Sequence, residues 1–278
     1  MNKPDFVIGI GSQRAGSTLL HRILDECTDI FMHPVKELHY FDTLYGVRHQ
    51  DVLTAYSIRQ LDNEIDRLIK SESFDYLKSK KYKCFLRTNK ILSSRKIEDV
   101  DYVDLYRPCL MGNHTVGEIT PEYMILPEEG IKKMAEMLGR NTRILLITRD
   151  PLDRFISAFK LLKAYGKSSV DFSNFEQEII DIFEVMPAWI EQQKQLNNYE
   201  KAYTIYSKYF RNVLKISYED LISDLESTHA KLEAGLEIAV NLERYRKTVE
   251  YKINKIGETK NLSSKTLSVL REKLSIKE

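Results

Sequence analysis

Phe6-Val7-Ile8-Gly9-Ile10-Gly11-Ser12-Gln13-Arg14-Ala15-Gly16-Ser17-Thr18 decides the fold. Residues 6–10 form a short apolar, partly β-branched run, as a strand buried on both faces does. The glycine-rich segment follows at once, and residues 17–26 then place apolar side chains at Leu19, Leu20, Ile23 and Leu24, which is helical spacing. Two further units repeat this order. The helical stretch PEEGIKKMAEML stops at Gly139, RILLIT (143–148) reads as a strand, and DPLDRFISAFKLL carries Pro151 in a first helical turn. NVLKIS (212–217) is the third strand, followed by a helix through YEDLISDLESTHAKLEAGL. Strands alternating with helices require a parallel sheet with helices on both faces.

Working outward, residues 51–110 are charged and tyrosine-rich and read as a mostly helical excursion. Residues 241–261 read as a polar loop before a short final helix near 263–274. No repeat, low-complexity tract or linker divides the 278 residues, so a single domain over 1–278 is expected. Lys+Arg total 42 against 41 Asp+Glu, a balance that argues against a nucleic-acid partner. Cys27, Cys84 and Cys109 lie far apart and make neither a disulfide framework nor a zinc site. The apolar run at the start is too short for a membrane span and lacks a signal peptide's layout, so a cytoplasmic protein is expected.

Gly11, Gly16 and Thr18 stand in register with the phosphate-binding pattern GxxxxGK[ST]. Glycines let backbone N–H groups converge on an anion, and the helix N-terminus adds its positive dipole. Ser17 stands where that pattern places lysine, so a triphosphatase would lack its phosphate-reaching ammonium, and the loop carries a cation at Arg14 instead. The expected architecture is therefore an α/β, P-loop-like three-layer fold, with a central parallel sheet flanked by helices. Downstream, Lys36-Glu37-Leu38-His39-Tyr40-Phe41-Asp42 sets a carboxylate and an imidazole two residues apart. In an extended segment both point to one side. Glu37 beside a bound hydroxyl is a general base with His39 sharing or orienting the proton; away from one, the pair is solvated surface charge.

Together these segments resemble the sulfotransferases that use 3′-phosphoadenosine 5′-phosphosulfate (PAPS), closest to the heparan sulfate and related carbohydrate branch. Arg14-Ala15-Gly16-Ser17-Thr18 fits that family's loop for the 5′-phosphosulfate, and Lys36–Phe41 fits its KEPHFF-like segment with Leu38 for proline. Gly117-Glu118-Ile119-Thr120-Pro121-Glu122-Tyr123 matches a third motif, with Ile119 in place of the usual basic residue. The 3′-phosphate motif is complete from Arg149-Asp150-Pro151 through Arg154 and Ser157 to Phe159, and Ser217-Tyr218-Glu219-Asp220-Leu221 resembles the segment after the late core strand.

The resemblance implies sulfuryl transfer from PAPS to a hydroxyl of a sugar, glycolipid or small metabolite, leaving 3′-phosphoadenosine 5′-phosphate (PAP), with no metal. It implies that Arg14 stabilises the leaving phosphate oxygen and that Glu37 is the base with His39 as partner. Asp42 would position the acceptor, and Arg149 and Ser157 would hold the 3′-phosphate. Arg154 reads either as a donor contact or as an ion pair with Asp150 or Asp153. Lys260, in a basic 254–260 segment, reads as solvated, and Trp189 as core rather than an adenine platform. A P-loop phosphotransferase and a non-catalytic nucleotide-binding protein are the competing expectations.

Overall fold

The structure, a computed structural model, describes residues 4–71, 73, 75, 79–107, 115–165, 171–250 and 262–276. Among the described residues five strands make one all-parallel sheet: β1 (Asp5–Gly9), β2 (Phe31–Met32), β3 (Thr115–Ile119), β4 (Arg143–Thr148) and β5 (Asn212–Ser217). Their order is β2-β3-β1-β4-β5. Beyond Gly9 the pairing continues through the Ile10 and Ser12 N–H groups, which donate to Leu145 and Ile147 carbonyls.

Alternation along the strands creates the layers. Phe6, Ile8, Ile10, Ile144 and Leu146 pack into a core on one face, and Val7, Leu145, Ile147 and Ile216 into a second core on the other. Strands buried on both sides need apolar residues at every position, which is what FVIGI and RILLIT supply. Helix α1 (Ser17–Cys27) covers the second face through Leu20, Ile23 and Leu24, all fully buried.

The excursion forms the paired helices α2 (Gln50–Lys70) and α3 (Lys80–Ser94) with short 3-10 turns at Ile97–Asp99 and Tyr102–Leu105. Tyr102 and Tyr106 belong to the first core rather than to a cleft. Helices α4 (Glu128–Leu138) and α5 (Pro151–Ala164) flank β4. Helices α6 (Phe175–Val185) and α7 (Pro187–Gln195) pack with α5 around Phe155, where Trp189 sits 5.7 Å from the Phe155 ring, as core. Helix α8 (Tyr199–Tyr209) leads into β5.

Three sequence readings change. The helix expected through 218–236 is two, α9 (Tyr218–Ser223) and α10 (Leu225–Leu236), because Asp224 leaves helical geometry and caps the second by accepting from the Ser227 N–H. The polar stretch after 241 begins as helix α11 (Leu242–Glu250), with Tyr245 and Thr248 buried. Its polarity belongs to an outer face, and the rest of the expected loop, including Lys260, lies outside the described residues. Strand β3 was hidden in a motif, because Gly117 and Glu118 at its centre do not look like a buried strand. The final helix, α12 (Ser264–Lys273), is where expected. Among the described residues no helix is long and apolar enough to cross a membrane.

Candidate active site

In an open parallel sheet, ligands bind beyond the carboxyl ends of the strands where the order reverses direction. Here that point lies between β1 and β4, and the loops leaving these two strands carry Arg14 and Arg149. Gly16 is the N-cap of α1 with φ 89°, a conformation natural only to glycine, and a Cβ there would stand 2.4 Å from the Tyr218 ring. No side chain caps α1, so its first N–H groups are left for an anion. Arg14 is itself held at φ 69°, strained for a residue with a Cβ.

The cations converge. Arg14 Nε donates to Ser157 Oγ at 3.0 Å, and the Arg149 guanidinium donates to the Arg14 carbonyl at 3.1 Å. Arg149 lies 4.9 Å over the Tyr218 ring, with its buried Nε unpartnered among the described residues. Burial and then the charge of Arg149 lower the Arg14 pKa, against the opposing charge of Glu37. Ala15 is fully buried beneath the turn, Ser17 is buried at the start of α1, and Thr18 is half-buried beside it.

Arg154 does something else. It is fully buried and donates to Asn197 Oδ1 (2.5 Å), Gln193 Oε1 (2.9 Å) and the carbonyls of Gln193 (3.0 Å) and Gln13 (3.3 Å). It pairs with neither Asp150 nor Asp153. Asp150 instead caps α5 by accepting from the Leu152 and Asp153 N–H groups. Arg154 ties α5 and the end of α7 to the glycine-rich turn at 11–16, and burial lowers its pKa to about 10.

Across from these cations lies the 36–42 segment. Glu118, buried in β3, fastens it: the carboxylate accepts from the Leu38 N–H (3.0 Å), Thr120 Oγ1 (2.6 Å) and the hydroxyls of Tyr102 and Tyr123 (both 2.8 Å). Leu38 fills the core where the related motif has proline. His39, at φ 50°, turns its ring between two carboxylates, with Nδ1 2.7 Å from Asp42 Oδ2 and Nε2 3.4 Å from Glu37 Oε2. Burial opposes its charge, but the hydrogen bonds to Asp42 and Glu37 outweigh burial and raise its pKa to about 10. At neutral pH His39 is an imidazolium.

Glu37 pairs with Lys36 Nζ, which also stands 3.4 Å from Ser17 Oγ on the loop. Burial would raise the Glu37 pKa, yet His39 and Lys36 hold it at about 2. Arg48 Nε reaches Asp42 (3.3 Å), and its terminal nitrogen reaches Glu122 Oε1 (3.4 Å). Burial, then the charge of Glu37, raises the pKa of the Tyr56 phenol on α2.

Sequence reasoning missed Lys36, Arg48 and Glu122 as site members; for Glu122 the only signal was its place inside the third motif. Glu37, His39 and Glu122 offer ligand-type atoms all within 4.8 Å of one another.

A family model described as "Sulfotransferase family" matches residues 4–241. Among solved structures, the fold resembles that of a sulfotransferase from Alicyclobacillus acidocaldarius: TM-score 0.57, 17% identity, 99% of this chain and 92% of that one. A retinol dehydratase solved with androsterone and the inactive cofactor PAP overlaps more loosely: TM-score 0.44, 16% identity, 90% of this chain and 64% of that one. No curated protein sequence matches.

Proposed function

The chain belongs to the sulfotransferase family, and from that premise we propose that it moves a sulfuryl group from PAPS to a hydroxyl of a carbohydrate, glycolipid or small metabolite. The observation that carries this reading is the arrangement of Arg14, Arg149 and Ser157 within one hydrogen-bonded unit, facing Glu37 and His39 across the strand ends.

The N–H groups of residues 16–18 and the Arg14 guanidinium receive the 5′-phosphosulfate, while the Ala15 N–H closes the turn on the Ser12 carbonyl (3.0 Å), and Arg14 stabilises charge on the phosphate oxygen as it leaves. Its guanidinium cannot readily give up a proton, so that role is electrostatic. Arg149 and Ser157 hold the 3′-phosphate, which distinguishes this donor from ATP. The acceptor oxygen bonds to sulfur as the sulfur–oxygen bond to the 5′-phosphate breaks, and the hydroxyl proton passes to Glu37.

Lys36 links the two halves. While it pairs with Glu37 that carboxylate is a poor base; turned toward the phosphosulfate beside Ser17, it frees Glu37 and raises its basicity. His39 orients Glu37, and Asp42 holds the imidazolium in place. The 278 residues act as a single domain with the 51–110 excursion walling the acceptor side.

Thermal stability with PAP, ADP and ATP, with and without Mg²⁺, tests the donor. A ligand that binds only the folded state adds about 2.7 kcal/mol at a hundred times its Kd. We expect selective stabilisation by PAP without metal; stabilisation by Mg-ATP alone would overturn the reading.

A further inference from the structure

One carboxylate in this site has work left over. Glu122 follows β3 on the 3-10 turn Pro121–Ile125, with a side chain only 8% exposed. Its Oε1 accepts from Gln13 Nε2 and the Arg48 guanidinium, both at 3.4 Å. Its Oε2 is buried with no hydrogen-bond partner among the described residues. A buried carboxylate oxygen without a donor is costly, and proteins keep few of them. This one is held beside Glu37 and His39, with one atom of each of the three groups inside a 4.8 Å cluster.

Resting on the sulfuryl-transfer reading, we infer that Glu122 is a specificity-determining residue whose Oε2 receives a second hydrogen-bond donor carried by the acceptor on the atom next to its reacting hydroxyl. The proton of the reacting hydroxyl satisfies Glu37 and leaves nothing for Glu122. A molecule with a single hydroxyl therefore leaves Oε2 unpaired. A neighbouring hydroxyl or ammonium removes that penalty, and the short spacing between the carboxylates matches donors on adjacent carbons. The acceptor is thus a vicinal diol or a vicinal amino alcohol. Burial raises the Glu122 pKa against the opposing charge of His39, and the charge of Glu37 adds to the rise.

Cyclohexanol, trans-cyclohexane-1,2-diol and trans-2-aminocyclohexanol share one ring and test this with radiolabelled PAPS. For the wild-type enzyme, kcat/KM for at least one two-donor probe should exceed that for cyclohexanol by about tenfold to a hundredfold, the range expected for a hydrogen bond to a charged group. Which probe leads tells hydroxyl from ammonium. Glu122→Met removes both carboxylate oxygens at similar side-chain length, so the preference should vanish while PAP binding stays. Equal use of cyclohexanol, a preference that survives Glu122→Met, or transfer to neither two-donor probe would each overturn the inference. The wild-type comparison decides even if the variant folds poorly. Failure of the donor reading shows separately, as no stabilisation by PAP.

Discussion

Glu37, the proposed base, keeps company that suppresses its basicity. Lys36 and the His39 imidazolium hold it at about 2, so proton abstraction has to be coupled to a change in its partners. The coupling proposed here runs through Lys36, whose Nζ lies between Glu37 and Ser17 of the phosphate loop. General base catalysis contributes on the order of 10²–10⁴ in rate. Glu37→Gln should therefore lower kcat by about that factor with PAP affinity unchanged. Steady-state transfer assays with calorimetric PAP titration check this; wild-type turnover in the variant removes Glu37 from the role.

At the scale of elements, the phosphate loop is braced from three directions. Gly16 supplies a left-handed residue against the Tyr218 ring, Arg149 donates to the Arg14 carbonyl, and Arg154 donates to the Gln13 carbonyl. Gly16→Ala pays both the backbone strain and the clash with Tyr218, which must move from under Arg149. We expect loss of stability of about 1–3 kcal/mol and PAP binding weakened by more than tenfold, seen by urea denaturation and calorimetry. Arg154→Met tests the brace itself. Removing a buried charged donor strands the Gln193, Asn197 and Gln13 oxygens, so the variant should lose about 3 kcal/mol while Asp150→Asn loses less. A near-neutral Arg154→Met would assign this arginine to donor binding instead.

For the whole molecule, the site leaves a signature in the pH dependence of stability. His39 titrates near 6.5 when unfolded and at about 10 when folded. The raised pKa adds stability that is fully present below 6.5 and lost as pH rises from there through 10. Burial raises the carboxyls of Glu118 and Glu122, which act in the same direction but on a lower pH range. Glu37 is depressed, so its contribution is present above about 4.5 and fades as pH falls toward 2. The melting temperature should therefore decline from pH 6.5 to 10, and His39→Gln should flatten that decline. An unchanged slope in the variant would mean that His39 is not held charged in the fold.

The strands β1, β4 and β5, helix α1 and the phosphate loop were legible because their determinants are local. Apolar runs buried on both faces, helical spacing and glycine punctuation all lie within a few residues of one another. The same holds for the Arg14, Glu37, His39 and Arg149 positions, each embedded in a short motif. Tertiary structure alone decided what those groups face. Glu118 inside β3 is tolerable only because Leu38, Thr120, Tyr102 and Tyr123 bring it donors from four places in the chain. Arg154 could be read as a donor contact or an ion pair until Gln193 and Asn197, far along the chain, met it in the core. Arg48 and Glu122 met through the same long-range closure, whereas Lys36 adjoins Glu37 in sequence and needed the fold only to reach Ser17. Charge and protonation in a site depend on distances of a few ångströms between residues scores of positions apart, and only the closed fold sets those distances.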